Sequence, residues 1–178
     1  MGEDGVAGHA ACTSNRNGTA AACPPNRGVK TPYKTAAAAA IGDDVQGGLY
    51  VQLSADGLLV AGGAHGLATD QARRLRAAIA EDRPGSALVR LLDGLRAAGF
   101  TVEGDRLKRV PGEFGADHPR ADLLTLKTLW AFRHLEPGDW LHGPGARDVV
   151  ADAWRRVQPL NDWLREHVGP SRAERSRR

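Results

Sequence analysis

Apolar and polar residues alternate from position 49 to 54. Leu49, Val51 and Leu53 fall on one side, and Tyr50, Gln52 and Ser54 on the other. That two-residue period belongs to a strand with one buried face. Ala55-Asp56-Gly57 then offers an Asp-Gly pair suited to a tight turn, and residues 58–61 return as a second strand. Residues 49–63 therefore predict a β-hairpin. Upstream, Thr31-Pro32 imposes an extended entry, because the residue before proline avoids the helical region. The alanine run 36–40 has the best helix-forming side chain but is too short to hold a helix alone, so a strand is favoured.

After the hairpin the period changes. Ala72, Leu75, Ala78 and Ile79 recur at helical spacing, with Thr69 or Asp70 as the cap and an end near Asp82. Pro84-Gly85 is expected to break this helix, and Ser86 to open a second one carrying Leu88, Leu91, Leu92 and Leu95 up to Gly99. Residues 100–103 and 106–110 read as two short strands around Gly104-Asp105. Asp122 is expected to cap a third helix with Leu123, Leu126, Leu129 and Trp130 inward, ended by Glu136-Pro137-Gly138. A last helix spans about 146–168. Val150, Ala153, Trp154, Val157, Leu160 and Leu164 form its buried stripe, Trp163 flanks it, and Pro159 should kink or interrupt it. Hairpins first and helices after favour an α+β fold: an antiparallel sheet with a central hairpin, packed by about four helices.

Composition divides the chain in three. Residues 1–28 hold only Met1 and Val6 as larger apolar side chains, too few to offset the entropy of ordering, and are expected to be disordered. Residues 29–169 form one globular domain, and 170–178 a basic, free tail. The formal charge of +3 equals that of the tail, where Arg172, Arg175, Arg177 and Arg178 face Glu174. The rest is neutral, so nucleic acid is expected as a partner only weakly, through the tail. Cys12 and Cys23 lack zinc-pair spacing, and nothing demands an oxidising compartment. There is no run of ~18 apolar residues and no signal-peptide core, so the cytoplasm is the expected location and no membrane is expected as a partner.

Lys30-Thr31-Pro32-Tyr33-Lys34-Thr35 resembles the end of the signature R-x-x-R-D-x-R-F-x-x-x-K-x-P-Y, which belongs to a bacterial family termed domain of unknown function 2461. Other pieces agree in order: Leu49-Tyr50-Val51, Gly62-Gly63, Leu75-Arg76, Leu107-Lys108-Arg109 with Pro111-Gly112, Leu126-Lys127, and Pro159-Leu160 with Trp163-Leu164. The resemblance covers positions 29 to 169. The first part of the signature is missing: Thr19, Ala22, Cys23, Pro25 and Asn26 stand where the family has Arg, Arg, Asp, Arg and Phe. A start read in a wrong frame would produce this, as would a divergent terminus, and the resemblance further implies a helical region upstream that residues 1–28 do not supply. The family carries no established activity, so the resemblance implies a fold and leaves function open.

The candidate chemistry is an anion site made of Lys30, Tyr33, Lys34, Lys108 and Arg109, where cations would gather around a phenol if the two segments met. The plainer reading is that these charges guard a sheet edge. Gly62-Gly63-Ala64-His65-Gly66 matches no phosphate-binding loop and reads as a strand-to-helix turn. The histidines show no metal spacing, and no cofactor is called for. Three readings follow: an uncharacterised bacterial protein without a recognisable catalytic set, a binder or enzyme of an anionic small molecule, or an interaction module using an exposed sheet surface.

Overall fold

The alternation at residues 49–63 does fold as a hairpin. Strands β2 (Gly48–Ser54) and β3 (Gly57–Ala64) pair antiparallel, with Val51 opposite Val60 and Leu53 opposite Leu58. The alanine run forms β1 (Ala37–Ile41), paired with β2. With β4 (Thr101–Glu103) and β5 (Leu129–Leu135) these make one antiparallel sheet in the order β1-β2-β3-β5-β4. The helices are α1 (Thr69–Ala80), α2 (Asp82–Ala97), α3 (Ala121–Leu124) and α4 (Gly145–His167). The fold is α+β, as the order of hairpin and helices implied. The chain divides into two units, Met1–Lys34 and Thr35–Arg178, and the architecture is that of the second. The computed structural model describes residues 34–42 and 47–172, so the expectations for residues 1–28 and for the tail beyond Arg172 lie outside the described residues. Among the described residues no helix is long and apolar enough to cross a membrane.

The core lies between the sheet and the helices. Leu58, Val60 and Ala64 of β3 and Leu129 and Ala131 of β5 are buried against Leu75, Ile79, Leu88, Leu92, Val157, Leu160 and Leu164. These strand positions alternate, as a sheet with one helix-covered face requires. Helix α4 lies along β3, where a side chain on Gly62 would collide with Val157 Cγ1. Polar ties fix α4 to the neighbouring strand: Trp154 Nε1 donates to the Tyr50 carbonyl (3.3 Å) and Asn161 Nδ2 to the Gly48 carbonyl (3.2 Å).

Several local expectations change. The third helix stops at Leu124, and Leu129–Leu135 is β5, flanked by β3 and β4. A strand between two others can be apolar on both faces, which erases the alternation that would distinguish it from a helix. The break between α1 and α2 falls at Glu81 (ψ 141°), before Pro84 and Gly85. Pro84 sits in the first turn of α2, where its missing N–H has no intrahelical acceptor to lose. Ala68, not Thr69 or Asp70, holds the α1 N-cap, and its N–H donates to Gln71 Oε1 (3.0 Å). Of residues 106–110 only Arg106 bridges another strand-like residue, Leu126. Pro159 does not interrupt α4, which is continuous. Proline removes the bond to the carbonyl four residues earlier, here on exposed Arg155, where water can replace it.

The chain expected to be free after Gly169 is tied to α1 as far as Arg172. Gln71 Nε2 donates to the Gly169 carbonyl (2.7 Å), and Arg74 to the carbonyls of Val168 (2.6 Å) and Pro170 (2.7 Å). Asp70 accepts from the Arg172 N–H and the Ser171 hydroxyl, each at 2.8 Å.

Candidate functional site: an arginine-lined cleft

The residues between β4 and β5 build a polar cleft through backbone pairing. Gly104 passes so close to Thr128 that any Cβ there would meet the Thr128 carbonyl. Asp105 N–H then donates to Thr128 Oγ1 (2.8 Å), Lys127 N–H to the Asp105 carbonyl (2.7 Å) and Leu107 N–H to the Thr125 carbonyl (2.7 Å). This ladder aims Arg106 at the end of α3, where its Nη1 donates to the Asp122 carbonyl (2.7 Å) and to Thr125 Oγ1 (3.2 Å).

Arg120 enters from the residue before α3. Its Nε donates to the Ile79 carbonyl (2.6 Å), and its Nη2 to the Ala80 carbonyl (2.9 Å) and Asp82 Oδ1 (3.1 Å). Carbonyls at a helix C-terminus have no intrahelical partner, and the guanidinium fork satisfies two at once. Its side chain is only 11% exposed, so it is held by partners on several sides. Arg96, in the last turn of α2, is half exposed and donates Nη1 to Asp93 (2.8 Å).

These three arginines line a cleft of about 510 Å³ between α2 and the segment leading into α3, with Leu92, Leu123 and Asp122 among the other walls. Three guanidiniums line the cleft with the Asp122 carboxylate, while Asp82 and Asp93, outside the lining, pair with Arg120 and Arg96. Among the described residues, Arg96 and Arg106 each use only Nη1 within the chain. Their remaining N–H groups suit the oxygens of a phosphate or carboxylate.

Of the residues expected to form an anion site, Lys30 and Tyr33 lie outside the described residues. Lys34 is exposed, and Lys108 and Arg109 are exposed on the loop that follows the Arg106 bridge. That loop adjoins β4, whereas the strand that follows Lys34, β1, is the opposite edge of the sheet. The arginine cleft was missed because Arg96, Arg106 and Arg120 come from three separate stretches with no shared spacing. The only local signal was Arg106, two residues before Lys108.

The glycine-rich turn serves packing. Gly62 and Gly63 belong to β3 and are buried, and Gly63 takes a φ of 130° against Trp130. His65 is exposed in the bend after β3 and stacks on Trp130 with ring centroids 3.8 Å apart.

No curated protein and no solved structure matches the chain. A family model described as a conserved hypothetical protein (DUF2461) matches residues 28–163, and the chain belongs to that family.

Proposed function

We propose that this protein binds a small anionic molecule, one bearing a phosphate or carboxylate, in the cleft lined by Arg96, Arg106 and Arg120. The observation that carries the reading is the pair of partly free guanidiniums, on Arg96 and Arg106, beside the internally held Arg120. Arg120 supplies a fixed positive charge; Arg96 and Arg106 supply the donors. Each exposed pair contributes roughly 0–1 kcal/mol, so binding rests on two or three converging cations and is sensitive to salt. Lys108 and Arg109 extend the positive stretch beyond Arg106. A cytoplasmic setting is supported by residues 35–178 containing no cysteine, so the domain needs no disulfide.

Inorganic phosphate, titrated against chloride at matched ionic strength, should raise the melting temperature of the full chain. Arg96→Ala and Arg106→Ala should each reduce the effect and together abolish it. Loss of the effect in Lys108→Ala/Arg109→Ala alone would move the site to the loop. Equal response to phosphate and chloride, or full response in the Arg96→Ala/Arg106→Ala protein, would end the cleft reading.

A further inference from the structure

The two edges of the sheet are built differently. Strand β4 is three residues long, contains Glu103, and leads into Asp105, Arg106, Lys108 and Arg109. Short, charged edges of this kind resist pairing with another chain. Strand β1 has none of these protections. It is Ala-Ala-Ala-Ala-Ile, without charge, proline or glycine, and every one of its residues is exposed. Among the described residues it pairs only with β2, and no other described strand lies along its outer row of backbone N–H and C=O groups.

The large hydrophobic side chains left exposed among the described residues lie on this same edge and the same face. Ile41 is 56% exposed and Leu53 43%. Ala37 stands opposite Leu53, and Ile41 opposite Leu49, so residues 37, 39 and 41 share the helix-covered face with 49, 51 and 53. Inward of that edge an apolar groove of about 360 Å³ runs between β2 and the start of α4, lined by Val51, Leu53, Leu141, Val150 and Trp154. Among the described residues the helices cover β3, and none lies over the β1 side of this face.

We propose that β1 is the interface of a homodimer, in which two copies of the chain pair their β1 strands antiparallel about a twofold axis at Ala39. The register follows from the side chains. With Ala39 opposite itself, Ala37 of one copy faces Ile41 of the other, and all four lie on the helix-covered face. Each Ile41 then packs over the small Ala37 of its partner, next to that partner's Leu53. One pairing thus covers both exposed hydrophobics twice, satisfies the open backbone edge and joins two five-stranded sheets into one of ten. The contact is isologous, so it closes at two copies and does not propagate. The alanines serve here as small residues that admit the partner's isoleucine.

Sedimentation of the full chain should show a reversible dimer. Ala39→Lys places two charges on the axis and should give a monomer with unchanged circular dichroism and a thermal midpoint that no longer rises with protein concentration. Ile41→Ser should weaken the dimer by about tenfold or more, because the buried apolar contact is lost twice. In a Cys12→Ser/Cys23→Ser background, Ala39→Cys should form an intermolecular disulfide under mild oxidation, since directly opposed strand residues have suitable Cα separation. Thr101→Cys on the charged edge should not. A chain that stays monomeric at every concentration, a dimer that persists in Ala39→Lys, or cross-linking no faster at residue 39 than at residue 101 would each overturn the proposal.

Discussion

Arg120 occupies the space that a side chain at residue 85 would need: an ideal Cβ on Gly85 would lie 2.6 Å from Arg120 Nε. The same Cβ would also strike the Ile79 carbonyl that Arg120 binds. Gly85 thus lets the first turn of α2 close over the end of α1 with a guanidinium between them. Neither feature works without the other. The glycine opens the space, and the arginine satisfies the carbonyls that the turn at Glu81 leaves without helical partners.

Gly85→Ala should therefore destabilise the domain by about 1–3 kcal/mol through overpacking. Arg120→Ala should be similarly harmful, about 1.5–3 kcal/mol, because it removes charge-assisted bonds to part-buried carbonyls. The two changes share one cause, so the double variant should lose less than the sum. Urea midpoints of the three variants check this, and strict additivity would show the two positions to be independent.

Gly62→Ala should cost about 1–3 kcal/mol, because the added methyl collides with Val157 Cγ1. Val157→Ala in the same chain should recover part of that loss by vacating the space. If the pair is no more stable than Gly62→Ala alone, the clash lies with the backbone of β2 instead, where the Gly48 carbonyl is 3.2 Å from the added atom.

Pro159 sits on the exposed side of a continuous helix. Pro159→Ala should restore a backbone bond to the Arg155 carbonyl and raise stability by roughly 1–3 kcal/mol. The change should appear as a higher thermal midpoint at an unchanged oligomeric state. A lower midpoint would mean that the proline ring contributes packing that outweighs the missing bond.

The Asp70 carboxyl is held well below the usual carboxylate range, first by the Arg172 backbone N–H and further by the Ser171 hydroxyl and Arg74, with burial opposing them. A carboxylate depressed in the folded state contributes stability that is present in full above its unfolded value, about 3.9, and is lost as pH falls from there toward the folded value. Asp70→Asn should therefore lower the thermal midpoint by a constant amount between about pH 5 and pH 8. The gap to the unchanged chain should shrink steadily below about pH 4. A gap that is the same at low and neutral pH would show that the amide disturbs the clip by shape alone.

What the sequence determined by itself was every element whose pattern had a single interpretation. Residues 49–63 alternate with an Asp-Gly turn between them, which only a hairpin accommodates. The stripe from Ala153 to Leu164 repeats at helical spacing over several turns, and the helix formed through its proline. Residues 123–135 were different. Leu123, Leu124, Leu126, Leu129, Trp130, Ala131 and Phe132 are dense enough to satisfy a period of 3.6 or of 2. Tertiary structure decided for a strand, because the hairpin and β4 offered hydrogen-bonding edges on both sides of Leu129–Leu135. The cleft was illegible for a related reason. Arg96, Arg106 and Arg120 are each unremarkable among their neighbours, and they gather only once α1 ends at Ala80 and Gly85 admits the guanidinium. Local pattern records what a residue prefers next to its chain neighbours; convergence of distant charges depends on how the elements pack, which no short window contains.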